Sequence, residues 1–249
     1  MNVILILSAI LLGITLDVCG QTKFAAIPIQ PPAQTAEDGK ALAAEIRNLI
    51  PEKETLLRGI LKRRNADGTI QVLKISSQIK PAENGWVSIY EVSGEDGNIR
   101  ERLSINHSRD NANKYVYEIY EGNNKRVIEN PSLAESFAGS DFYLGDLGLE
   151  FFHWQKQTIL KTEMRKSRVC KVLESVPEKS DKNYGYSKVV TWVDKETLGI
   201  LIAEAYDMDG KKIKQFEVSS FRKDENGIWQ IQELEIRNLK TRTKTQLIF

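Results

Sequence analysis

The chain has 249 residues, 41% hydrophobic and 28% charged, which are globular proportions that exclude fibre or disorder for most of its length. Thirty-five Lys and Arg against 34 Asp and Glu leave a net charge of +1, without the basic footprint that nucleic-acid binding needs. Two cysteines exclude a disulfide scaffold, and two histidines argue against a His-based metal site.

Val3 to Leu16 (VILILSAILLGITL) is an uncharged apolar run of 14 residues. A membrane-spanning helix needs about 20 such residues, whereas a signal-peptide core has this length. Val18-Cys19-Gly20 offers a cleavage site with Gln21 as the mature start, although Met1-Asn2 brings no Lys or Arg. Residues 1–20 are therefore expected to be a signal peptide, and the mature protein to be exported. Cys19 admits a second reading as a lipid-modified anchor, which Asp17 and Val18 suit badly. With Cys19 removed, Cys170 is alone. Arg168 and Lys171 beside it could make a reactive thiolate, but no His lies near it in sequence, and a small apolar strand residue is the expectation.

Residues 21–40 carry three of the seven prolines and no period, and read as a flexible leader to a single domain over 41–249. Ala41 to Ile50 places Leu42, Ile46 and Leu49 at helical spacing before Pro51 stops the pattern, which predicts one amphipathic helix. From Glu54 the texture becomes β. Strands are predicted at Thr55 to Arg64, Thr69 to Ile79, Trp86 to Ser93, Ile99 to His107 and Tyr115 to Glu121. Ala66-Asp67-Gly68, Asn84-Gly85, Asp96-Gly97-Asn98 and Asp110 to Asn113 punctuate them, so sequence neighbours should pair antiparallel.

Pro131 to Trp154 interrupts this meander with a short helical, loop-rich insert. Strands resume at Thr158 to Lys166, Arg168 to Ser175, Lys188 to Asp194, Ile200 to Tyr206, Lys211 to Phe221, Ile228 to Asn238 and Lys240 to Ile248. About a dozen consecutive strands make one large antiparallel sheet, and so long a sheet should curl toward a barrel. In the last strand, Lys240, Arg242, Lys244 and Gln246 alternate with Thr241, Thr243, Thr245 and Leu247. One cationic face should meet solvent, and the charges suit a terminal edge strand.

Chemistry is sparse. No H-E-x-x-H, C-x-x-C, G-x-S-x-G, Walker loop or G-x-G-x-x-G occurs. His107 and His153 stand far apart in sequence, each reading as a surface or strand-end residue. Asp207 and Asp209 beside Gly210 resemble part of a Ca²⁺ loop, but a hairpin turn suffices for them. No catalytic residue, metal or cofactor is expected, and the protein is read as a non-enzyme. The insert is instead apolar, with Phe137, Phe142, Tyr143, Phe151, Phe152 and Trp154 interleaved with Leu144, Leu147 and Leu149. Either it plugs a β-core, or it and the N-terminal helix cover a curved sheet and enclose an apolar cavity.

Lys125-Arg126-Val127-Ile128, then Ser136-Phe137-Ala138-Gly139-Ser140-Asp141-Phe142 and Asp146-Leu147, resemble the outer membrane lipoprotein-sorting family of LolA- and LolB-like carriers. Tyr186 to Lys195 (YSKVVTWVDK), Glu204 to Asp207 and Gly210 to Lys214 extend the resemblance, which spans roughly Leu56 to Phe249. The aromatic and acid that follow GSDF in the family read here as Tyr143-Leu144-Gly145-Asp146. The resemblance implies a mainly β (α+β) fold, a strongly curved antiparallel sheet or incomplete β-barrel with short helices over its concave face. It implies a periplasmic carrier that binds acyl chains of lipoproteins or lipids for outer-membrane sorting, in contact with an inner-membrane exporter and as a monomer. The alternative is a lipid- or lipoprotein-sensing module of the same fold. Phe137, Phe142, Leu147 and Trp154 would line the cavity from the lid, and Trp192, Tyr206 and Phe216 from the sheet. Gly139 would supply a special backbone angle, and Ser140 or Asp141 would cap a helix over Asp141 to Leu149. An enzyme would instead need three or more acid, base or nucleophile groups converging in that cavity.

Overall fold

The computed structural model describes residues 36–109, 111–178, 182–223 and 229–249. The expected signal peptide, the leader up to residue 35 and the Asn226-Gly227 turn lie outside the described residues. Six strands form a first meander: β1 (Thr55–Arg64), β2 (Ile70–Ala82), β3 (Gly85–Ser93), β4 (Ile99–Ser108), β5 (Lys114–Glu121) and β6 (Asn124–Glu129). Seven form a second: β7 (Lys156–Arg165), β8 (Arg168–Val176), β9 (Lys188–Asp194), β10 (Ile200–Tyr206), β11 (Lys212–Lys223), β12 (Trp229–Asn238) and β13 (Thr243–Ile248). Gly68, Gly97 and Gly210 take φ of 88°, 79° and 74° at three of the hairpin turns, the angles that the Asp-Gly pairs were expected to supply.

All 13 strands join one antiparallel sheet in the order β6-β5-β4-β3-β2-β1-β13-β12-β11-β10-β9-β8-β7. The sheet is open, with β6 and β7 as its two ends, and has the curved form expected from its length. This order corrects the reading of the last strand. β13 is not an edge but lies mid-sheet, pairing with β1 through Leu61 opposite Leu247 and with β12 through Leu234 opposite Leu247. Its predicted alternation holds nonetheless, because Thr243, Thr245 and Leu247 are buried while Lys244 reaches the Glu235 carboxylate at 2.9 Å. The strand begins later than expected, since Lys240 and Arg242 belong to the β12–β13 turn, where Arg242 has φ of 58°. β6 was not expected as a strand, because NKRVIE is polar and its side chains stay largely exposed, as suits an edge.

The topology explains where the insert lies. Residues 130–155 must carry the chain from one edge of the sheet to the other, and they do so across its inner face. Phe137, Phe142, Leu144 and Leu147 of the insert join one inner cluster with Tyr90, Leu103 and Leu234. Phe151, Phe152 and Trp154 join a second with Val189, Val193 and Ala203. Helix α1 (Ala36–Arg47) seals that second cluster by burying Leu42, Ala43 and Ile46 along β7. It starts five residues before the predicted Ala41, taking in part of the expected leader, and Leu49 lies past its end. Gly39, within the expected leader, lets the helix approach the sheet: a Cβ there would clash with the Gln157 carbonyl oxygen.

Candidate functional site

The FAGSDF segment forms a tight knot. Phe137–Gly139 is a single 3₁₀ turn in which Ala138 and Gly139 both have positive φ, 51° and 63°. The Phe137 N–H donates to the Phe142 carbonyl at 2.9 Å, and the Ser140 N–H donates to the Phe137 carbonyl at 2.9 Å. The Ala138 N–H donates to the Glu101 carboxylate of β4 at 2.7 Å, which helps to hold its unusual angle. The expected helix over Asp141 to Leu149 contracts to α2 (Leu144–Leu147), so neither Ser140 nor Asp141 caps it. Asp146 serves that end instead, accepting from the Tyr143 N–H at 2.8 Å.

Asp141 has a different task. It is 3% exposed, and its carboxylate accepts from the Thr243 and Thr245 hydroxyls of β13 at 2.5 and 2.8 Å. Its N–H donates to the Thr245 hydroxyl at 3.0 Å, and its carbonyl accepts from Lys214 Nζ of β11 at 2.7 Å. One residue of the knot thereby fastens the insert to the middle of the sheet.

Beside this fastening lies an apolar cavity. Its sheet wall is formed by Val189, Ala203, Ala205, Phe216, Val218 and the inward residues of β12, Ile231, Leu234 and Ile236. Its cover is Phe142, Leu149 and Phe151 of the insert. The small Ala203 and Ala205 leave room where larger strand residues would fill the space. The free space is about 50 Å³. A water needs about 10–15 Å³ on that measure, so the closed form lacks room for a long acyl chain unless the cover shifts.

Three polar side chains face this cavity, Asp146, Tyr186 and Lys214. The Tyr186 hydroxyl lies 2.9 Å from both Asp146 carboxylate oxygens. Lys214 is 2% exposed, with Nζ 3.5 Å from Asp146 Oδ2 and 2.9 Å from the centre of the Tyr143 ring. Burial pulls the Lys214 pKa down to about 8, against the pull of the Asp146 and Asp141 charges. Burial, with the Asp146 charge beside it, pushes the Tyr186 phenol well above 10. The three groups satisfy one another and tie the insert to β11 and to the segment before β9.

Only some of the predicted lining residues reach the cavity. Phe142 and Phe216 do. Phe137 and Leu147 fill the adjoining inner cluster, with Phe137 against the Tyr90 and Tyr117 rings, and Trp154 packs near α1. Trp192 and Tyr206 are on the other face of the sheet with Cys170, Val172, Val190 and Leu201, and do not line it. In β10 the register against β9 shifts between Ile200 and Ile202, so Leu201 and Ile202 share the outer face with Tyr206, whereas Trp192 alternates regularly in β9, outward with Val190 while Val189 and Val193 face inward. Sequence reasoning missed Lys214, Tyr186 and the two alanines. The alternation of small Ala203 and Ala205 around Glu204 was a readable signal, whereas nothing in KKIK marks Lys214 as buried.

His107 stands at the end of β4, as one expectation had it, but neither histidine is a free surface residue. His107 of β4 is 4% exposed, stacked 4.5 Å from Trp86 and 3.0 Å from the Ser88 hydroxyl, and with His153 it lines a small crevice beneath α1. Burial lowers their pKa values to about 3 and about 4. Next to them Glu150 accepts from the Tyr115 hydroxyl at 2.8 Å and from Asn113 at 3.0 Å, and burial lifts its pKa to about 7. No group of three or more His, Cys, Asp or Glu among the described residues is placed to hold a metal ion. Cys170 is fully buried, and burial pushes its thiol pKa up, which fits the apolar reading. Asp207 accepts from the Asp209 and Lys211 N–H groups, as a turn residue does. No helix among the described residues is long and apolar enough to cross a membrane.

A family model described as "Uncharacterized protein" matches residues 98–249. No curated protein matches the chain. Among solved structures, an outer membrane lipoprotein-sorting protein domain from Vibrio parahaemolyticus is 23% identical with a TM-score of 0.71, over 86% of this chain and 91% of that one. A DUF1329 family protein from Desulfovibrio piger is 19% identical with a TM-score of 0.69, over 86% and 90%. A LolA superfamily protein from Nitrosomonas europaea is 19% identical with a TM-score of 0.60, over 86% and 90%. At these identities the likeness is one of fold.

Proposed function

We propose that this chain, which shares its fold with LolA-like and outer membrane lipoprotein-sorting proteins, is an exported, non-enzymatic carrier holding an acyl chain of a lipoprotein or lipid. The observation that carries this reading is the apolar cavity between insert and sheet, closed by one compact polar tie. An acyl chain in water costs about 0.8 kcal/mol per CH₂, so a 16-carbon chain represents roughly 12 kcal/mol that a carrier must supply as apolar contact. The small closed volume suits a carrier that must also release its load: the cover swings out to admit the chain and recloses over β13 once it leaves. Lys214 and Asp146 then have a reason to be buried. Ion pairs inside a fold add little net stability, so a tie of this kind opens at lower cost than an equal area of packed hydrocarbon.

One observation favours a second reading. Asp146, Tyr186 and Lys214 converge in the cavity, which is the set an enzyme would need. Each is already engaged, however: the Lys214 ammonium donates to the Asp141 carbonyl and faces the Tyr143 ring, and Tyr186 is bound to Asp146. None presents a free nucleophile or base to the cavity, and the carrier reading is preferred. The test is uptake of 11-dansylaminoundecanoic acid by the mature protein, followed by fluorescence, with Ala203→Phe narrowing the cavity. Saturable uptake abolished by Ala203→Phe supports the carrier. No uptake by the unaltered protein would refute it and put a sensing or docking role for the same fold in its place.

A further inference from the structure

We propose that the cleft between α1 and the Trp154–Gln157 segment is a second binding site, built for an oxyanion such as a phosphate monoester. The cleft is lined by Lys40, Arg47, His153, Trp154, Gln155 and Gln157, with about 350 Å³ of free space. It shares no lining residue with the apolar cavity, so its occupancy is independent of the carrier reading.

Its chemistry is that of cationic and N–H donors without a carboxylate. Trp154 is only 6% exposed, yet its indole Nε1 has no hydrogen-bond partner. The Arg47 Nε is buried and likewise unpartnered, while Nη1 of the same guanidinium donates to the Phe152 carbonyl at 2.8 Å and fixes the group in place. Buried donors left unmatched carry their full desolvation penalty, and both of these belong to residues that line the one cleft. Gln157 supplies neither with an acceptor: its Nε2 donates to the Phe151 and Trp154 carbonyls, and its Oε1 accepts from Ser175. No Asp or Glu lines the cleft, and neither Lys40 nor Arg47 forms an ion pair among the described residues. Burial lowers the Arg47 pKa, as expected for a cation kept partly from water without a counter-charge.

An acceptor-only anion fits these demands. A phosphate monoester or a carboxylate can take the Arg47 Nε–H and the Trp154 Nε1–H, which a small shift of those side chains would bring to the cleft surface, and the exposed Lys40 ammonium on separate lone pairs. A cation would meet Lys40 and Arg47 with like charge, and an apolar group would leave both donors unmatched. His153 beside them is held neutral at ordinary pH by burial and by Arg47, and adds no charge. The same oxyanion could be a soluble phosphate or the headgroup of a phospholipid.

Isothermal titration of the mature protein separates these sources, with inorganic phosphate in one arm and dihexanoyl phosphatidic acid, below its micelle concentration, in the other. Saturable binding at constant ionic strength is expected, weakened at least tenfold by Arg47→Gln and severalfold by Trp154→Phe, which keeps the apolar ring and removes the N–H. Lys40→Gln, at an exposed position that leaves the fold alone, should weaken it severalfold as well. Ala203→Phe should leave it unchanged. Tighter binding of the lipid assigns the site to headgroups, and equal binding assigns it to free phosphate. Absence of saturable binding in both arms, or binding indifferent to all three substitutions, overturns the proposal.

Discussion

Replacing Asp141 by Ala removes the residue that fastens the insert to the middle of the sheet. Its carboxylate accepts two buried threonine hydroxyls, and bonds to a charged acceptor contribute about 1.5–3 kcal/mol each. Two offsets reduce the sum. Thr243 keeps Thr241 as a partner at 2.6 Å, and the variant no longer holds a buried carboxylate away from water. The expected loss is about 2–4 kcal/mol, equivalent to roughly 4–16 °C in melting temperature for a chain of this size. Asp141→Asn retains one acceptor and should lose about half as much. Urea unfolding followed by tryptophan fluorescence gives the stability. Hydrogen exchange should show earlier exposure at residues 136–144 than in β11 to β13. A double-mutant cycle with Thr245→Val isolates the contact, with a coupling of about 1–2 kcal/mol expected. A loss below about 1 kcal/mol, or additivity with Thr245→Val, would refute the fastening role.

Other substitutions probe separate links. Glu150 titrates near 7 when folded against an ordinary 4.5, so the folded state holds more protons between these values. Its contribution is full below about pH 4.5 and is lost as pH rises through 7; Glu150→Gln should flatten that stretch of the stability–pH curve, a change of up to about 3 kcal/mol. His107 and His153 act with the opposite sign. Their stabilisation is present above 6.5 and is lost as pH falls toward 4 and 3, so replacing both by Gln should lessen unfolding between pH 6 and 4. Gly39→Ala would drive a Cβ against the Gln157 backbone, and despite the better helix propensity of Ala it should loosen α1, seen as faster proteolysis near residue 47. Cys170 should resist a thiol reagent such as Ellman's until the sheet unfolds; prompt reaction in the native state would contradict its burial.

The strands were legible because their ends are chemical: Asp-Gly and Asn-Gly pairs stop a run wherever they occur, and β1, β9 and β10 begin and end where the sequence places them. What was not legible depends on contacts between distant parts of the chain. Nothing local tells that β13 pairs with β1, because that neighbour is nearly 200 residues away, and a charged C-terminal run resembles an edge until its partners are known. Trp192 and Tyr206 were misplaced by parity: which face of β9 turns inward depends on its neighbours in the sheet, and in β10 the shift between Ile200 and Ile202 changes it within the strand. Lys214 escaped notice for a related reason. Its neighbours Lys211 and Lys212 are surface lysines in the same run, and only the Asp141–Asp146 knot arriving from the insert makes its position tenable. Composition set the insert's aromatics apart as either core or cavity lining; five of the six are buried, Tyr143 is half-buried, and most of them fill core next to the cavity.

The most direct measurement is native mass spectrometry of the mature protein purified from the periplasm, with lipid extraction of whatever travels with it. The predicted result is an added mass from an acyl-bearing species, lost in Ala203→Phe while circular dichroism shows the variant still folded. A clean apo mass, with no uptake of 11-dansylaminoundecanoic acid or of a triacylated lipopeptide, would contradict it. Phe142 and Phe216 would then be ordinary core residues.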